Sequence, residues 1–97
     1  MLIVFHPATS PAGKLADAEL HFTEGDLAGL KLAGFAVWER RGGSGRNVTF
    51  PARQYSVNGE RRTYALLRPR DAEGAPGAHN GLRDRILEAF ARHEATA

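Results

Sequence analysis

Ninety-seven residues without a cysteine, 42% hydrophobic and 25% charged, form one domain with a modest core and exclude disulfides, thiol nucleophiles and cysteine-ligated zinc. The net charge of +2 conceals a strong segregation. Residues 1–39 carry two lysines against five acids and residues 71–97 three arginines against five acids, whereas residues 40–70 set eight arginines against the single Glu60, a local charge of +7.

The opening run Leu2-Ile3-Val4-Phe5 is too short for a signal-peptide core or a membrane span, and no basic residue precedes it. It reads as a strand ending at His6-Pro7. With no cysteine in the chain, a reducing cytoplasm is the expected compartment. After the turn Ser10–Gly13, Ala16, Ala18, Leu20 and Phe22 alternate with Asp17, Glu19 and His21, the period of a half-buried strand over Lys14–Phe22. Leu30–Arg40 reads as the next strand, with Ala33, Phe35 and Val37 on one face and Leu30, Leu32 and Trp38 on the other.

Gly42-Gly43-Ser44-Gly45 lacks the Lys-Ser/Thr pair of a phosphate loop and is followed by a strand pattern, so it reads as a hairpin tip. In the strand Arg46–Tyr55, Val48 and Phe50 alternate with Asn47 and Thr49. Pro51, having no amide hydrogen, marks an edge, a bulge or the strand's end. Asn58-Gly59 is the residue pair of a type I′ turn, leading into a strand over Arg61–Arg68. A loose connection is expected over Asp71–Ala78, then a helix over Gly81–Glu94 capped by Asn80, with Leu82, Ile86, Ala89, Phe90 and His93 in one stripe and a Glu88–Arg92 pair outside it. Strands in succession followed by one helix define an α+β fold, an antiparallel sheet meander of four to five strands in a single domain over 1–97. Phe35, Val37, Val48, Phe50, Ile86 and Phe90 are the expected shared core.

Candidate chemistry is sparse. The four histidines show no ligand spacing, no serine lies in a nucleophile motif, and Asp17 and Glu19 share a strand face only because strands alternate. The basic strands say more. Arg46, Arg53, Arg61, Arg62, Arg68 and Arg70 surround Tyr55 and Tyr64, and cations with stacking rings are the two requirements of general nucleic-acid binding. The competing reading places the tyrosines, Tyr64 above all, in the core or a dimer contact.

Several of these residues resemble the SpoVG family of bacterial septation and sporulation regulators. The similarity runs from Leu30–Trp38 through the glycine hairpin to Val48-Thr49-Phe50-Pro51-Ala52-Arg53. It continues through Asn58-Gly59-Glu60 and Leu67-Arg68-Pro69 to Arg83, Arg85 and Ile86, about two thirds of the chain. Gln54 departs from a second basic position of the family, the glycine hairpin is longer, and residues 1–20 match poorly. The resemblance implies a homodimer that binds DNA and RNA without a cofactor, in which Arg53, Arg83 and Arg85 take basic positions of the family; the sparse candidate chemistry gives no expectation of a metal site or of catalysis. The expected surface is therefore Arg53, Arg61, Arg62, Arg68, Arg70, Arg83 and Arg85. The alternative is an interaction module that recruits an acidic protein.

Overall fold

The computed structural model describes residues 1–8, 10–43, 45–71 and 75–96 and, of residues 41, 75 and 76, the backbone alone. Ser44 of the glycine hairpin and residues 72–74 of the expected connection lie outside the described residues. Strands β1 (Leu2–Pro7), β2 (Lys14–His21), β3 (Lys31–Glu39) and β4 (Arg46–Thr49) form an antiparallel meander in the order β1-β2-β3-β4. Strands β5 (Ala52–Val57) and β6 (Glu60–Ala65) pair only with each other, and helix α1 (Ala75–Thr96) follows. The arrangement is α+β. The expected antiparallel meander and C-terminal helix are both present, the meander having four strands and the last two strands forming a separate ribbon.

The core lies between the meander and the helix. Ala16, Ala18 and Leu20 of β2 are buried, while the odd positions of this strand are only half-buried, as alternation requires. They meet Phe5, Phe35, Val37 and Val48 from the sheet and Ile86 and Phe90 from the helix. Of the six expected core residues, only Phe50 is half-buried. It sits at the rim, its ring 5.4 Å from that of Phe35. The helix rests against both edge strands, β1 and β4.

On β3 the expected faces are corrected by a bulge. Ala18 lies opposite Phe35 and Leu20 opposite Leu32, so three steps on β3 match two on β2. The extra residue reverses the alternation. Leu32 therefore packs on the core with Phe35 and Val37, and Ala33 is exposed. Leu30, just before β3, is 60% exposed, and Trp38 donates from Nε1 to Thr49 Oγ1 at 2.7 Å on the second sheet face.

The bulge contains Gly34, whose φ of +107° is open to glycine, and a Cβ built there would come within 2.9 Å of the Pro51 Cβ. That close approach seats buried Pro51 against β3, and the chain leaves the meander there: β4 ends at Thr49 and β5 begins at Ala52. The expected strand Arg46–Tyr55 is thus two strands, broken where proline cannot donate to a ladder. Asn58 and Gly59 make the turn of the ribbon with φ of 52° and 83°, as a type I′ hairpin demands.

The helix starts six residues earlier than expected. Pro76 falls in its first turn, where the missing N–H has no partner to lose. Asn80 is therefore not the cap; it lies inside the helix and accepts a 2.7 Å bond from Arg83 Nη1. Arg92 donates to Glu88 at 3.0 Å as the spacing predicts. Among the described residues no helix is long and apolar enough to cross a membrane.

Candidate nucleic-acid interface

All residues of β5 and β6 are exposed. Register fixes what each face carries. Arg53 lies opposite Tyr64, Tyr55 opposite Arg62 and Val57 opposite Glu60. Because alternate residues share a face, these six form one side of the ribbon. Ala52, Gln54, Ser56, Arg61, Thr63 and Ala65 form the other. The first side is a checkerboard of two arginines and two tyrosines, extended by the third arginine, Arg68. The Arg68 guanidinium lies 4.8 Å from the Tyr64 ring centre and donates to its hydroxyl at 2.8 Å. Arg53, Tyr55 and Tyr64 line an open cleft of about 370 Å³.

The seven expected site residues thus divide. Arg53, Arg62 and Arg68 gather on the tyrosine side of the ribbon, and Arg61 is on its reverse. Arg70, with its side chain 95% exposed, lies beside Arg68 and lines a second, smaller cleft with Leu67, His79 and Leu82 near the ribbon's base. Arg83 is half-buried on α1, stacked over Phe50 at 5.9 Å, with its Nε buried and unpaired. Arg85 points to another cleft, with Met1, Leu2 and Ile3 of the β1 edge. Two residues along a helix turn about 200°, which separates these two side chains. The remaining strand-end cation, Arg46, is held internally: it binds both carboxylate oxygens of Glu94, lies 5.1 Å from the Phe90 ring, and has its pKa raised by that carboxylate.

The base of the ribbon is tied to the domain. Leu66 N donates to Pro51 O at 3.1 Å, closing the hairpin where it begins. The His79 ring lies edge-on to Phe50 at 5.0 Å, and its Nε2 bonds Leu67 O at 2.9 Å. Tyr64, read from sequence as a core or dimer residue, is 48% exposed, because its strand has no second layer.

A polar network on the second face of the meander was not legible from spacing. His6 and His21 both place Nε2 on Glu19 Oε1, at 3.2 and 3.0 Å, and Lys31 Nζ stands 3.2 Å from Oε2. The bonds from His21 and His6, then Lys31, hold the Glu19 carboxyl down at about 2 against its ordinary 4.5. Asp17, which shares its strand face, instead binds Lys14 at 2.6 Å. Among the described residues no group of three or more His, Cys, Asp or Glu side chains is placed to hold a metal. A carboxyl whose folded pKa is depressed contributes stability above its unfolded pKa and loses it as pH falls through the folded value. Urea midpoints should therefore decline from about pH 4.5 towards 2, and Glu19→Gln should remove much of that decline. An unchanged acid limb in the variant would assign the decline to other groups.

No protein-family model, curated protein or solved structure matches this chain. The SpoVG resemblance therefore rests on the residues that carry it.

Proposed function

We propose that this chain is a SpoVG-like nucleic-acid-binding protein, a homodimeric regulator rather than an enzyme, whose binding surface is the tyrosine side of the β5–β6 ribbon. The observation that supports this best is the convergence of Arg53, Arg62 and Arg68 around two exposed tyrosines on a ribbon with no covering layer. Arginine binds phosphate oxygens through a planar fork and stays charged at every working pH. Among the described residues of the ribbon the one acid on this face is Glu60, 3.4 Å from Arg62, and an exposed pair of this kind contributes only about 0–1 kcal/mol, so it yields readily to a phosphate. A dimer would present two ribbons, and linked sites raise apparent affinity without new contacts. Arg70 extends the basic surface towards the helix. Arg61, Arg83 and Arg85 lie off this face and serve as secondary contacts for a strand that wraps the domain.

The test is a salt titration. Affinity for DNA or RNA should fall steeply with salt, and replacing both Arg53 and Arg62 by Gln should reduce the slope of log affinity against log salt by about 1.4–1.8, two phosphate contacts' worth. The melting temperature should stay within a few degrees, since both side chains are exposed. A parent protein that binds neither nucleic acid at low salt, yet binds an acidic protein, would replace this reading with that of a protein-interaction module.

A further inference from the structure

Phosphate contacts explain the arginines of the ribbon but leave its tyrosines idle. Tyr55 and Tyr64 are 40% and 48% exposed, and each sits diagonally across the ribbon from the other. An aromatic side chain in water costs solvation unless something covers it. Diagonal neighbours on a two-stranded ribbon stand about 7–8 Å apart. Stacked bases repeat at about 3.4 Å, so one base between two rings needs about twice that spacing. The space between the tyrosines is open: with Arg53 they line the cleft of about 370 Å³. Arg68 braces the Tyr64 ring through its face and its hydroxyl and does not line the cleft. One ring is thus fixed, and its cleft side is left free.

We infer that the Tyr55–Tyr64 cleft is a seat for an unpaired nucleobase, so that the ribbon binds single-stranded nucleic acid in preference to duplex. The inference rests on the nucleic-acid reading above and deepens it. In a duplex both faces of each base are covered by neighbours, and the rings would have nothing to stack on. In a single strand a base can turn out between Tyr55 and Tyr64. Arg53, at the cleft wall, and Arg62, beyond it, then meet the phosphates on either side. Stacking of this kind is tolerant of sequence, because every base has a π-face. The ribbon would bind strands with little sequence preference at this position.

Anisotropy measurements at low salt would use three labelled probes of equal length: an oligothymidylate, the same backbone made abasic, and a duplex. The parent should bind oligothymidylate about tenfold or more tightly than either other probe. Tyr55→Leu and Tyr64→Leu should each lose about tenfold on oligothymidylate, corresponding to about 1.4 kcal/mol, and change little on the abasic strand. Tyr55→Phe should lose far less than Tyr55→Leu, because the ring and not the hydroxyl stacks, and Tyr64→Phe should fall between the parent and Tyr64→Leu, because it keeps the ring but gives up the Arg68 bond to its hydroxyl. Circular dichroism should show all four variants folded, since neither side chain is in the core. If the parent bound the abasic strand and the duplex as tightly as oligothymidylate, or if the leucine variants matched the parent, the base seat would be wrong while phosphate binding stood. Binding to none of the three probes would remove both readings together.

Discussion

Phe90→Ala should lower the free energy of unfolding by about 3–5 kcal/mol, and Ile86→Ala by about 2–5 kcal/mol. These two side chains are how the helix is held. Ile86 is fully buried and Phe90 is 5% exposed. The Phe90 ring also meets Phe5 edge-on at 5.2 Å and carries the Arg46 guanidinium on its face. Truncation therefore removes apolar burial, leaves a cavity, and loosens the clamp between β4 and Glu94. A small domain has about 5–15 kcal/mol in total, so either variant forfeits a large part of it. Guanidinium denaturation of both, beside Glu88→Ala as an exposed helix control, would measure this. Losses below about 1 kcal/mol would mean that the helix is not part of the cooperative core.

Gly34→Ala should cost about 2–6 kcal/mol, an unusual penalty for adding one methyl group. A backbone held in a sparsely populated region costs a substituted residue about 1–3 kcal/mol. The new Cβ would also press within 2.9 Å of the Pro51 Cβ, and overpacking of this kind costs a further 1–3 kcal/mol or so. Gly29 separates the two effects: its φ is +88°, but nothing lies within 4 Å of where its Cβ would be. Gly29→Ala should therefore show the backbone penalty alone. Equal losses at the two positions would show that the corner at Pro51 gives way freely.

Local chemistry made most of the meander legible. Period-two alternation identified β2, Asn58-Gly59 the tip of the ribbon, and Pro51 the break after β4. Where reading failed, the deciding event was non-local or positional. The bulge at Ala33–Gly34 exchanged the faces of Leu32 and Ala33, and nothing in a single strand's pattern announces an extra residue opposite Glu19. Pro76 and Gly77 read as parts of a loose connection. In position they occupy the first turns of the helix, where proline is harmless and glycine costs about 1 kcal/mol. Among the candidate residues, the register of β5 against β6 separated Arg61 from Arg62. It also brought Arg53 to Tyr64, eleven residues away in sequence. The exposure of Tyr64 was hidden because an alternating strand looks the same whether or not a second layer lies over it.

The hydrogen bond from Leu66 to Pro51 has a consequence for how such a protein can change. It brings the two ends of the ribbon together beside the domain, so the chain on either side is already positioned without what lies between. Lengthening, shortening or exchanging the hairpin would leave the hydrophobic centre, the helix and the Gly34–Pro51 corner in place, because loop closure grows only slowly more costly with length. The exposed ribbon and the packed body thus occupy separable stretches of one short sequence. Variation can accumulate at the ribbon's tip, altering the surface it exposes, while selection for a stable body acts on other residues.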